Sequence, residues 1–337
     1  MTRLRRALGL SFLGALSLAA FSAGSSPSTR TPLRVIYGRY LTFAPLAIAS
    51  AEGFFGAQGL DVELVHLPGS AEATPLLMRG EVDVGAGFLQ IADFNAIARG
   101  ASLRLVADKG SFAPETCVSS AFLARTEFLK TRNPDNAADL QGARVAATPL
   151  SFSEYLLETY VRSKGLRLSD LDVVKLQEAT AADALINGSI DFQHLGEPFL
   201  TRAVRSGRAV VWKSMVEILP GGQISTIAYG PTLLTKNRDA GRRFMVAYLQ
   251  GVRQYNRGKT PRNVEIISKE TGLDAGLVRE ACWQPIRGDG KINVESVLDF
   301  ERWAVGRGLL DAPLPAGKFW DPFFVEEANK VLGPPGR

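Results

Sequence analysis

This chain is short of reactive side chains. Among its 337 residues are only two cysteines, Cys117 and Cys282, and two histidines, His66 and His194. Two thiols so far apart make neither a disulfide framework nor a zinc-ligand spacing. An exported chain could pair them, but buried free cysteine is the expected state. A Ser-His-Asp triad would have to draw on His66 or His194, and no Gly-x-Ser-x-Gly elbow occurs. There is no Walker loop and no Gly-x-Gly-x-x-Gly turn after a strand; Gly85-Ala86-Gly87 alone carries little. Beyond the N-terminus no apolar run approaches membrane-spanning length. A strong excess of one charge is missing too, with 39 Lys and Arg against 34 Asp and Glu.

What is present starts with Arg3, Arg5 and Arg6 ahead of a small, apolar stretch, residues 7–21, and a cleavage-type Ala20-Phe21-Ser22. That is the pattern of a secretory signal peptide over residues 1–22, its core too short for a stable span. Arg5-Arg6 lacks the flanking residues of a twin-arginine signal, and no cysteine near the cleavage site supports a lipid anchor. Removing the segment takes away three arginines and no acid, which lowers the net charge from +5 to +2. A nearly balanced mature chain offers no electrostatic case for nucleic acid. Residues 23–32, rich in Ser, Pro and Thr, read as a flexible leader.

Residues 33–87 organise the rest. Alternating, β-rich residues 33–37 and 60–65 are strands, and a third begins at 82. Between them lies a helix with Pro45 in its first turn and Gly53 as a left-handed cap, then a helix from Ser70 to near Gly80. Two βα units in succession predict parallel strands with right-handed crossovers, and ligands at the carboxyl ends of those strands. Strands at 103–107 and 118–124 and a helix at 91–99 follow. The pattern then restarts: strand 144–147, helix 152–164 with a capping box at Ser151 and Glu154, strand 173–176, helix 179–186, strand 190–192, a helix from Glu197, and strand 210–212. After 234 only helices are expected, at 239–257, 261–271 and 294–306, with an aromatic-rich terminal helix at 320–332. A helical last third must pack on something already built, most simply the first lobe.

The expected architecture is therefore α/β and two-lobed, each lobe a mainly parallel sheet flanked by helices. Lobe one holds 33–124 and 223–337, and lobe two 125–222, with two crossings as a hinge. Strand ends carry Tyr40, Thr42, Ser70, Phe88, Gln90, Ser151, Phe152 and Ser153, hydroxyls and aromatics suited to a polar head and an organic body. Singly, each reads as a cap or a core ring. As a set in matching loops of two lobes they mark a ligand cleft.

Several runs carry a family resemblance. Tyr37-Gly38, Ala44-Pro45, Glu52-Gly53-Phe54-Phe55, Gly59-Leu60-Asp61-Val62, Gly69-Ser70 and Gly80-Glu81-Val82-Asp83-Val84-Gly85 stand in the first lobe. Asp139-Leu140-Gln141-Gly142-Ala143-Arg144-Val145-Ala146, Asn187-Gly188-Ser189-Ile190-Asp191 and Glu197-Pro198-Phe199 stand in the second. In this order they resemble periplasmic ABC-transporter solute-binding proteins of the sulfonate/taurine/nitrate and thiamine-pyrimidine type. The resemblance implies a periplasmic, monomeric, cofactor-free binding protein that delivers a small molecule to an ABC permease and ATPase. It places the ligand among Tyr40, Thr42, Phe43, Ser70, Phe88, Gln90, Ser151, Phe152, Ser153 and Glu197. Where many members have Gly-Ser or Gly-Thr, this chain has Leu150-Ser151-Phe152, a bulkier rim that favours an organic ligand over nitrate. Phe152 is expected to face Tyr40 and Phe43 across the cleft. A thiamine-pyrimidine precursor synthase shares the fold but carries a cysteine cluster that is missing here. The rival readings are a cleft enzyme using His66 or Glu197 as base, and an extracytoplasmic sensor subunit.

Overall fold

A computed structural model of the protein describes residues 30–38, 40–67, 72–113 and 117–335. The signal-peptide reading, most of the leader, and Ser70 lie outside the described residues. Among the described residues, ten strands form two five-stranded sheets. They are β1 (Thr31–Tyr37), β2 (Leu60–His66), β3 (Val84–Phe88), β4 (Arg104–Ser111), β5 (Ser120–Arg125), β6 (Arg144–Ala147), β7 (Asp172–Lys175), β8 (Phe192–Gly196), β9 (Ala209–Ser214) and β10 (Gln223–Tyr229).

The first sheet runs β2-β1-β3-β10-β4 and the second β7-β6-β8-β5-β9, the same plan twice. In each, three parallel strands come from successive βα units, and one antiparallel strand (β10 or β5) is the first after a crossing from the other sheet. The strand at 118–124 is expected in the first lobe. As β5 it pairs with β8 and β9 of the second sheet, so the first crossing lies between Ser111 and Ser120. Periodicity identifies a strand but does not name its sheet.

Local chemistry explains most element ends. Pro45 sits in the first turn of helix Ala44–Ala51, and Gly53 takes φ +72°, as a left-handed stop requires. Ser151 caps helix Phe152–Ser163 by accepting from the Ser153 amide. Glu154 accepts from the Leu150 amide (2.7 Å) instead of that of Ser151, so the cap forms without the expected capping box.

Helices Ala44–Ala51 and Arg238–Tyr255 cross closely on the first sheet, and Gly251 permits it: a Cβ there would overlap the Pro45 carbonyl oxygen. Gly251→Ala is expected to destabilise the chain by about 2 kcal/mol, because overpacking outweighs the helical gain of about 1 kcal/mol. Thermal melting checks this; an unmoved midpoint would mean that the helices separate freely.

The last third packs on more than the first lobe. Helix Val294–Gly306 places Phe300 against Phe94 of lobe one and against Phe152 and Tyr155 of lobe two, with centroids 5.4–5.9 Å apart. Buried Glu158 accepts from Trp303 Nε1 (2.8 Å) and from the Arg307 guanidinium. One apolar cluster thus spans both lobes. The two cysteines, expected to be free, form a disulfide, Cys117–Cys282.

Candidate functional site

Loops at the carboxyl ends of β1, β3, β6 and β8 meet in one cleft between the sheets. Its cavity is about 170 Å³, measured as space open to water centres. One water needs roughly 10–15 Å³ on that measure, so a molecule of about ten heavy atoms suits it. Most of its exposed wall is apolar.

All the expected site residues that are described line this cleft: Tyr40, Thr42, Phe43, Phe88, Gln90, Ser151, Phe152, Ser153 and Glu197. Their partners separate them. Tyr40 lies edge-on to Phe88 (5.5 Å) and, across the cleft, to Phe199 of the second lobe (5.5 Å). Burial, helped by the Glu178 carboxyl, holds its phenol well above the ordinary range. The expected pairing of Tyr40 with Phe152 is not the one formed. Phe152 is 4% exposed and packs against Tyr155 (5.5 Å), Phe300 (5.8 Å) and Phe112 (6.4 Å), so Phe199 is the opposing ring.

The serines serve the loop. Ser151 gives its single hydroxyl proton to Thr148 O (2.6 Å), so in the Ser151–Ser153 pair (2.9 Å) Ser153 must donate. Neither keeps a proton for a ligand. Glu197 accepts from Thr201 N (3.1 Å), Thr201 Oγ1 (2.7 Å) and Cys282 N (3.0 Å), and burial raises its carboxyl above the ordinary range. Leu150 is 54% exposed with φ +59°, a strained rim residue outside the lining.

Further wall residues carry polar groups. Glu178 accepts from Gly196 N (2.7 Å), and burial raises its carboxyl; the residue is only half-buried, so water at the cleft moderates that rise. His194 Nε2 meets Ser120 Oγ at 2.7 Å, and burial lowers the imidazole, which stays neutral at pH 7. It is a hydrogen-bonding wall, not a base. Gln284 Oε1 accepts from Ser119 Oγ at 3.1 Å. His66, the other base considered, is exposed at the end of β2 and outside the lining.

Behind Thr42 and Phe43 lies Lys109, fully buried on β4. Its Nζ donates to Thr42 Oγ1 (2.9 Å) and stands 3.7 Å from the Phe43 ring centroid. Burial drops its ammonium to about 7, with Asp108 opposing. A base lowered in the fold costs stability in full below about pH 7, and the cost fades as pH rises toward the unfolded value near 10.4. Lys109→Met is therefore expected to raise stability by on the order of 2 kcal/mol at pH 6. That advantage should shrink between pH 7 and 10; denaturant melts at both ends check it, and a constant difference would refute it.

Residues 41–256 match the signature of the NMT1/THI5-like family, more than half the chain. An Escherichia coli (strain K12) protein named for binding aliphatic sulfonates is 23% identical over 275 residues, 82% of each chain. Among solved structures, the periplasmic nitrate-binding protein of Synechocystis PCC 6803 has a TM-score of 0.73 at 14% identity, covering 90% of this chain and 89% of that one. The periplasmic aliphatic sulphonate-binding protein of Escherichia coli has 0.68 at 19%, covering 88% and 93%. These two share the two-lobed binding-protein fold with it. By fold and by sequence signature, the chain belongs to the NMT1/THI5-like family.

Proposed function

We propose that this protein is an exported, periplasmic solute-binding protein. It captures a small organic molecule with a flat, apolar body and a polar group, sulfonate-like or heteroaromatic, and passes it unchanged to an ABC permease and ATPase as a monomer. The observation that carries this reading is the cleft between the lobes, lined by Tyr40, Phe43 and Phe88 of the first lobe and closed behind Tyr40 by its edge contact with Phe199 of the second. Such rings suit a planar guest, and an apolar wall with a few polar groups gives orientation. Binding without turnover is supported by the bonded carboxyl of Glu197, the neutral imidazole of His194 and the outlying position of His66.

Native mass spectrometry of protein purified from its own host tests the proposal by identifying a co-purified small molecule. Recovery of its chemically altered product would point to an enzyme. With that molecule in hand, Tyr40→Ala is expected to weaken binding at least tenfold, one aromatic face contributing about 1.5–3 kcal/mol. Equal affinity in calorimetry would move the ligand away from Tyr40.

A further inference from the structure

We propose that Lys109 is a positioning residue that sets this cleft's preference for a ligand bearing an organic oxyanion, acting through the hydroxyl of Thr42. The inference rests on the binding reading above and adds to it which end of the ligand goes where.

A lysine ammonium has three donors and no acceptor, so in the 2.9 Å contact Nζ donates and Thr42 Oγ1 accepts. The hydroxyl proton of Thr42 then points to a different acceptor, and Thr42 lines the cleft. A hydroxyl that accepts from a cation is polarised into a stronger donor. Asp108 attracts Lys109 only from a distance. Among the described residues no carboxylate forms an ion pair with it; its other neighbours are the rings of Phe43 (3.7 Å) and Phe88 (5.9 Å). Asp108, next in sequence, points to the opposite face of the strand, where Gly110 N (2.8 Å), Gln223 Nε2 (2.7 Å) and Arg287 N (2.7 Å) occupy it. A buried charge without a partner is unfavourable, and an anion at Thr42 would supply one. The second-lobe wall instead carries the carboxyls of Glu178 and Glu197, which repel an anion whenever they are ionised. The oxyanion is thus steered to the first-lobe wall and the body of the ligand to the aromatics.

Calorimetry on the full chain with benzenesulfonate, benzoate and neutral methyl phenyl sulfone tests this. The parent is expected to bind at least one anion tenfold or more tighter than the sulfone. Lys109→Met should bring that ratio close to one by weakening the anion alone, a change a purely structural role would not make. Thr42→Val should do the same, and the double variant should lose no further discrimination. A Lys109→Met or Thr42→Val chain that keeps the parental ratio overturns the relay, as does a parent without anion preference. If none of the three compounds binds the parent, the reading of the cleft as a site for flat organic molecules fails, and the inference with it.

Discussion

Phe152→Ala is expected to unfold the chain more readily, by about 3–5 kcal/mol, and not merely to weaken ligand binding. The ring is 4% exposed and sits among Phe112, Tyr155 and Phe300, in the cluster that joins the lobes through helix Val294–Gly306. Removing it leaves a cavity whose lining cannot collapse freely, because Phe300 is also held by Phe94 from the other lobe. Loss on this scale should lower the melting midpoint by on the order of 10 °C. Loss of a ring that faced Tyr40 and Phe43 across the cleft, as the sequence leads one to expect, would instead weaken binding and leave stability unchanged. The two outcomes differ in one melting curve. A variant that melts like the parent yet fails to hold ligand would return Phe152 to the cleft.

The difference between clamp and core shows what sequence makes legible. Loops at strand ends follow from alternation and glycine stops, and those loops do assemble into one cleft. Which way a ring turns within such a loop is decided by the last third of the chain, about 150 residues on, where Phe300 approaches. Lys109 was hidden for a related reason. The strand expected to end at Ala107 continues to Ser111, because Asp108 and Lys109 find buried partners that only the tertiary fold supplies. Glu178 stands just ahead of the helix expected at 179–186, and nothing local marks it. It is the crossing of the lobes that turns it toward Tyr40. Ser151 illustrates the converse: its local capping role is legible in the sequence, and its bonds leave little else for it to do.

Loss of the Cys117–Cys282 disulfide is expected to lower stability by about 2–5 kcal/mol, whether by reduction or by Cys282→Ser. The cysteines stand 165 residues apart, so the bond closes a covalent loop around the whole second sheet. Longer loops restrict the unfolded chain more, which places this bond toward the upper part of that range. Its position also matters. Cys117 lies in the crossing from β4 to β5, and the Cys282 amide holds Glu197 Oε1 (3.0 Å) on the second-lobe wall. Two residues on from each cysteine, Ser119 Oγ donates to Gln284 Oε1 (3.1 Å), which lines the cleft. The bond therefore joins the hinge crossing to the C-terminal third where both meet the ligand space. Cys117 is exposed, so a small dithiol can reach it without prior unfolding. Oxidised parent should melt on the order of 10 °C above the reduced parent and above Cys282→Ser. Hydrogen exchange should quicken at residues 117–121, 196–201 and 280–286 while β1 and β6 keep their protection. If reduction leaves both the melting point and exchange at these segments unmoved, the hydrogen bonds around Glu197 and Gln284 hold the crossing by themselves.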